Sequence, residues 1–170
     1  MLVTTNTVWQ WLGEIPDPEI PVLSLTDLGV IRDVHWQEET LVVTVTPTYS
    51  GCPATAVINL DIETKLRSHG ITNLRLEQQL SPPWTTDWLT DRGREKLRAY
   101  GIAPPVRETG APSASKGRIA RLTGQSDVVV ACPRCGSQNT EKVSQFGSTP
   151  CKAAYRCRAC LEPFDYFKCH

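Results

Sequence analysis

At 170 residues and 18.9 kDa the chain is too short for a barrel enzyme of the usual size, and long enough for one medium domain or two small ones. Eighteen Lys+Arg balance eighteen Asp+Glu, a zero net charge that excludes a histone-like or polybasic nucleic-acid binder. The composition is globular, with 40% hydrophobic and 21% charged residues, yet thirteen prolines and eleven glycines commit much of the chain to loop, so two modest cores are expected.

Taken in order, Thr5 or Asn6 can cap a short helix that buries Val8, Trp9 and Leu12 and ends at Gly13. Asp17-Pro18-Glu19-Ile20-Pro21-Val22 follows and reads as extended, because each proline biases the preceding residue away from helix. Residues 30–36 read as a strand that turns at Glu38-Glu39-Thr40 into the β-branched run 41–46, forming a hairpin. Residues 53–68 read as a helix, with Val57 or Ile58, Ile62 and Leu66 at helical spacing and Gly70 at its end. Residues 71–80 read as a third strand and 90–100 as a last helix. This order implies an α+β fold, a small sheet with helices on one face.

Splitting the charges at residue 103 gives eight Lys+Arg against thirteen Asp+Glu before it, and ten against five after it. The halves are therefore −5 and +5. Between them, residues 104–126 are rich in Pro, Gly, Ser and Ala and read as a linker, dividing the chain into domains 1–103 and 127–170. The second domain offers strand-like pieces at 128–131, 140–146, 154–156 and 164–167. About forty residues cannot fold on apolar burial alone and need a staple.

That staple is legible in the seven cysteines, four of which form Cys132-Pro133-Arg134-Cys135 and Cys157-Arg158-Ala159-Cys160. Twenty-one residues separate the pairs, enough for a hairpin that returns one knuckle to the other. Four thiolates on a small β-rich module define a zinc ribbon with a structural ion; iron or an iron–sulfur cluster on the same sulfurs is the rival, since soft ligands suit both. A redox pair is disfavoured because neither motif opens a thioredoxin-like helix. Thiol-rich metal ligation fits a reducing compartment, and without an apolar run long enough to span a bilayer the chain is expected in the cytoplasm. Arg134, Lys142, Lys152, Arg156, Arg158 and Lys168 read as a solvated face rather than a nucleic-acid site. Cys151, Cys169 and His170 remain without an assigned role.

A further cysteine stands apart. In Thr46-Pro47-Thr48-Tyr49-Ser50-Gly51-Cys52-Pro53, Pro53 at a first helical position would put Cys52 at the N-cap, where free N–H groups favour a thiolate. The histidines, His35, His69 and His170, form no motif with it, so metal ligation is preferred to nucleophilic catalysis.

Asp17-Pro18-Glu19-Ile20-Pro21-Val22, Asp27-Leu28-Gly29-Val30-Ile31 and Thr46-Pro47-Thr48 with Gly51-Cys52-Pro53 resemble the signature of the SufT-like iron–sulfur assembly family, over residues 5 to 80. With the ribbon and the ending Glu162-Pro163-Phe164-Asp165-Tyr166-Phe167-Lys168-Cys169-His170, the whole chain resembles the PaaD family, accessory proteins of the phenylacetyl-CoA ring-epoxidising monooxygenase. The resemblance implies a maturation factor rather than an enzyme, one that delivers an iron–sulfur cluster or iron to that monooxygenase. Its implied partners are the iron–sulfur reductase or di-iron subunit. The alternative is a non-catalytic structural subunit of the complex. The resemblance carries cluster binding onto Cys52, with Asp27, Thr46 and Thr48 as polar residues of the same pocket. One thiolate cannot hold a cluster alone, so the cargo would be shared across a homodimer, with a client, or with thiols such as Cys151 and Cys169.

Overall fold

The computed structural model describes residues 3–49, 51–106 and 129–168, in two units, one running to Tyr100 and the other Gly101–Lys168. In the first unit, helix α1 (Thr5–Leu12) is capped by Thr4, one residue before the expected cap: its hydroxyl accepts the Thr7 N–H at 3.3 Å. Val8 and Leu12 are buried, whereas Trp9 is only half-buried. Residues 17–22 form a turn and not the extended segment expected. The Asp17 carboxylate accepts the N–H groups of Glu19 (2.9 Å) and Ile20 (2.7 Å), an Asx-type closure that outweighs the proline bias.

A one-turn helix, α2 (Leu25–Leu28), comes next, closed at its start by a capping box between Ser24 and Asp27 and at its end by Gly29. Strands β1 (Ile31–Gln37) and β2 (Thr40–Val45) form the expected antiparallel hairpin. Helix α3 (Thr55–Ser68) buries Ile58, Ile62 and Leu66 along one stripe and leads into β3 (Leu74–Gln78), parallel to β2. The sheet order is β1-β2-β3. Its register puts Val34, Leu41, Val43, Leu74 and Leu76 on one face, and α1 packs against both β1 and α3. Each fully buried aliphatic side chain there contributes about 1.5–3 kcal/mol of burial. The other face carries Asp33, His35, Arg75 and Glu77, the polar side of a half-covered sheet.

The unit ends with a 3₁₀ turn, Thr86–Trp88, and helix α4 (Asp91–Tyr100). This tail is tied back across more than fifty residues. The Trp84 indole N–H donates to the Leu28 carbonyl at 2.8 Å, and the Thr90 N–H donates to the Asp27 carbonyl at 2.9 Å.

The second unit is a four-stranded sheet of order β4-β7-β6-β5: β4 (Ile102–Ala103), β5 (Thr140–Ser144), β6 (Lys152–Cys157) and β7 (Pro163–Phe167). Ile102 and Ala103 pair in parallel with Asp165 and Tyr166, so the partition between units falls after Tyr100 and not after residue 103. Two residues are too few to show a period, and the prolines that follow disguise them as linker. Residues 129–131 are not in a strand. Residues 107–126 of the expected linker, and Cys169 and His170, lie outside the described residues. The core is small: Ala103, Val130, Cys132, Ala153, Tyr155, Cys157 and Phe164, with the Tyr155 ring against Phe164 (5.9 Å) and edge-on to Tyr166 (5.5 Å). Two members of this cluster are cysteines, and with Ile102, Cys151 and Phe167 also buried the apolar core is still small for independent folding.

Candidate functional site

The hairpin of β6 and its neighbours brings the two cysteine pairs together. Cys132 Sγ lies 3.8 Å from Cys160 Sγ and Cys135 Sγ lies 3.6 Å from Cys157 Sγ, and all four sulfurs fall within 4.8 Å of one another. A tetrahedral ion with metal–sulfur bonds of about 2.3 Å sets its sulfurs about 3.8 Å apart. The donor set therefore fits a tetrahedral ion, and Cys132, Cys135, Cys157 and Cys160 are the residues that would hold it. Zinc and iron share this geometry. With zinc, four protein ligands would leave no open coordination position, the arrangement of a structural site.

The local electrostatics suit the same reading. The Cys160 backbone N–H, 3.5 Å from Cys157 Sγ, overcomes loss of water and, with the Ala159 N–H and the neighbouring thiols, holds the Cys157 thiol down at about 6. At Cys160 the Glu162 N–H pulls the thiol down, but removal from water and the sulfurs of Cys135, Cys157 and Cys132 outweigh it and push it up to about 12. Four adjacent thiols cannot all lose their protons unless a cation takes up the charge.

Four of the ribbon's six basic residues, Arg134, Lys142, Arg156 and Arg158, are exposed as a solvated face requires, and two are not. Lys152 and Lys168 are buried, Lys168 donating to the Gln145 carbonyl at 2.5 Å with its ammonium 4.3 Å from the Phe146 ring; burial lowers its pKa. Arg134 pairs with Glu162 and Arg158 with Glu141, each at 2.6 Å. Most of this group is thus buried within the unit or neutralised, which weakens a nucleic-acid reading further.

In the first unit Cys52 is half-buried but does not cap α3. The cap is Ala54, without a side-chain bond, and the first helical residue is Thr55. A turn intervenes, in which the Thr55 N–H donates to the Cys52 carbonyl at 3.1 Å and the Cys52 N–H donates to the Tyr49 carbonyl at 3.3 Å. Pro53 therefore belongs to this turn and not to the first helical position. Gly51, at φ +82°, makes the bend that presents Cys52, a backbone region that side-chain-bearing residues enter at a cost.

Thr46, on the same β2–α3 loop, is 1% exposed, and its hydroxyl has no hydrogen-bond partner among the described residues. An orphaned buried hydroxyl costs about 1–3 kcal/mol. Its backbone N–H donates to the Val30 carbonyl at 2.8 Å, which joins this loop to the segment following α2. Thr48 is half-buried on the same loop.

Asp27 is placed differently from a ligand. Its carboxylate is buried, accepts the Ser24 N–H (3.1 Å) and pairs with Arg92 Nε (2.9 Å) and Lys96 Nζ (2.6 Å) on α4. Burial alone would raise its pKa, but Lys96, the Ser24 N–H and Arg92 together bring it down to about 2, so the ion pairs persist at any physiological pH. Asp27 thereby fixes the loop around Val30 and is already fully engaged. Sequence reasoning misses Arg92 and Lys96; their i, i+4 spacing on one helix face is the signal that could mark them. His35 bonds to Asp33 at 2.6 Å, and the His69 ring stacks on Trp11 at 4.0 Å. Among the described residues no helix is long and apolar enough to cross a membrane.

Comparison with known proteins agrees with these two units. Residues 5–71 match the family described as "Iron-sulfur cluster assembly protein", and residues 117–168 match the "PaaD zinc beta ribbon domain". A protein of Escherichia coli (strain K12), named as a subunit of a "Putative 1,2-phenylacetyl-CoA epoxidase", is 49% identical over 164 residues, covering 96% of this chain and 92% of the relative. An "Fe-S protein maturation auxiliary factor" of Porphyromonas gingivalis (strain ATCC BAA-308 / W83) is 32% identical over 98 residues, covering 56% of this chain and 92% of the relative. Among solved structures, a domain of unknown function, DUF59, from Bacillus anthracis superposes with a TM-score of 0.51 at 25% identity, covering 54% of this chain and 89% of that one. The relatives and family models indicate an accessory protein of the iron–sulfur assembly type that carries a zinc ribbon domain. The chain belongs to the PaaD family.

Proposed function

We propose that the chain is a maturation factor that carries an iron–sulfur cluster, or iron, on Cys52 and delivers it to the multicomponent phenylacetyl-CoA epoxidase, working in the cytoplasm. The ribbon, stapled by zinc on Cys132, Cys135, Cys157 and Cys160, docks the client. The iron–sulfur reductase or di-iron subunit is the expected recipient. The observation that carries this reading is the contrast between two sulfur sites in one chain. Four converging cysteines make a closed site that retains its ion, whereas Cys52 offers one half-buried thiol on a loop with an unused buried hydroxyl, Thr46. A cluster held by one thiol of the chain needs further ligands from a second copy or from the client, and that incompleteness permits release. Transfer is then ligand exchange: ligand side chains of the client replace the Cys52 sulfur, which takes up a proton on release, with no net oxidation or reduction. Thr46 and Thr48 line the cargo loop, and Asp27 holds the neighbouring segment in place.

The test is transfer. The chain is loaded with cluster under anaerobic conditions, mixed with cluster-free epoxidase and separated again. The client gains iron and sulfide, the chain leaves, and Cys52→Ala lowers the transfer at least about tenfold. The name of the Escherichia coli relative favours the second reading, a structural subunit. On that reading the chain stays bound in fixed ratio, and epoxidase assembled with Cys52→Ala is as active as with wild type.

A further inference from the structure

Helix α3 carries two apolar stripes. Ile58, Ile62 and Leu66 are buried. On the opposite side Val57 (46% exposed), Leu60 (62%) and Thr64 stand in water. The steps of three and four residues between them are those of a heptad seam, with Val57 and Thr64 at a and Leu60 at d. The buried residues then fall at b, f and c, positions turned away from the seam, so the seam serves nothing in the helix's own core. It begins beside Cys52, where Pro53 and Ala56 are exposed too, and from Pro53 to Leu60 it holds no charge.

The pattern indicates what covers it. A β-branched residue at a with leucine at d favours parallel, two-stranded pairs. Pairing α3 in this way with a second copy sets the flanking g and e positions as Ala56 against Asp61 and Glu63 against Ser68, so no like charges meet there. The next d position is Arg67, which its own chain holds: it donates to the Thr72 carbonyl at 3.4 Å and lies 3.9 Å from Glu63. The contact is thereby confined to the Cys52 end of the helix. So short a seam buries far less than the roughly 1,200 Å² of a stable interface, and the helices alone do not hold the pair. In a parallel pair the two-fold axis runs along the helices, about 8–10 Å apart, and both Cys52 loops lie at the same end. We propose, building on the carrier role given to Cys52 above, that a second copy of this chain completes the cargo site: α3 pairs with its copy through Val57 and Leu60, and an iron–sulfur cluster bridges the two Cys52 sulfurs. These are half of the four thiolates that such a cluster takes; low-molecular thiols supply the rest, each thiol losing its proton on binding and no iron changing oxidation state.

The full chain, its ribbon metal in place, is reconstituted anaerobically with iron, sulfide and glutathione, and its mass is followed by sedimentation alongside iron and sulfide content. Before loading it is a monomer; loaded, it is a dimer with about one cluster per two chains, and Cys52→Ala stays monomeric. Leu60→Lys puts a good helix former at an exposed position, so the thermal midpoint is kept, yet the loaded dimer is about tenfold weaker or worse because two ammonium groups replace two leucines in the seam. Leu60→Glu behaves likewise. Mixed in equal amounts, the two variants pair with each other to within about threefold of wild-type affinity, since a parallel pair sets residue 60 opposite residue 60 and opposite charges then meet. A loaded chain that remains monomeric, a Leu60→Lys dimer as tight as wild type, or no recovery on mixing overturns the pairing and leaves the carrier role standing. A midpoint lowered in both variants overturns it too, because Leu60 would then serve the fold. Wild type that takes up neither iron nor sulfide overturns the carrier role, and the pairing with it.

Discussion

Stripping the metal with a chelator unfolds the ribbon and leaves the first unit folded. The ribbon's core is small and includes the cysteines Cys132 and Cys157, while a structural zinc ion supplies about 10 kcal/mol or more to modules of this kind. Without it, adjacent thiols remain in a unit too small to fold on burial alone. The residue distribution allows the two units to be followed separately. All five tryptophans, Trp9, Trp11, Trp36, Trp84 and Trp88, precede residue 101, whereas Tyr155 and Tyr166 are in the ribbon. Tryptophan emission is therefore unchanged on chelation, while the near-ultraviolet contribution of Tyr155 and Tyr166 is lost, that of Tyr49 and Tyr100 stays, and the amides of β5, β6 and β7 exchange freely. Cys157→Ser gives the same result without chelator, because a hydroxyl is a poor substitute for a fully buried thiolate ligand. Retained protection of β6 after metal removal would show that apolar packing, and not the ion, holds this unit together.

Gly29→Ala destabilises the first unit by about 3 kcal/mol or more, a large share of the stability a domain of this size has to lose. Two costs combine. Gly29 closes α2 at φ +69°, where a β-carbon costs about 1–2 kcal/mol, and that β-carbon would lie 2.3 Å from the Trp88 carbonyl oxygen. The obstacle is backbone, so no rotamer change relieves it. The segment from Trp84 to Thr90 would have to lift away, loosening the Trp84–Leu28 and Thr90–Asp27 hydrogen bonds and the grip of Arg92 and Lys96 on Asp27. Val30, which holds Thr46, shifts with it, so the damage reaches the Cys52 loop. Denaturant unfolding followed by tryptophan emission measures the effect directly, since Trp84 and Trp88 flank the clash. A midpoint equal to wild type would mean that this tail is not clamped onto α2.

Much of this architecture can be read from local pattern. The hairpin rests on the β-branched run from Leu41 to Thr46, and α3 on the spacing of Ile58, Ile62 and Leu66, all buried. The four ribbon cysteines are equally legible, because tetrahedral ligation needs pairs on tight turns and a C-x-x-C spacing has few other uses. What escapes is short or long-range. Helix α2 is one turn long and offers no period; β4 is two residues. The ion pairs of Asp27 reach across 65 and 69 positions, so local pattern shows nothing of its part as a fastening between helices. Pro53 suits a first helical position and so points to Cys52 as the N-cap, but the Cys52–Thr55 turn delays the helix and leaves the thiol outside it. The orphaned Thr46 hydroxyl is visible only in three dimensions.

The central claim, a closed ribbon site together with an open cargo site in one chain, is tested most directly by counting metal and sulfide. The protein is purified anaerobically with and without Cys52→Ala, and zinc, iron and acid-labile sulfide are measured per chain. The account predicts zinc near one per chain in both proteins, with iron and sulfide present in wild type and lost only in Cys52→Ala. Zinc alone in both, even after reconstitution with iron and sulfide, would contradict it and leave Cys52 without a cargo.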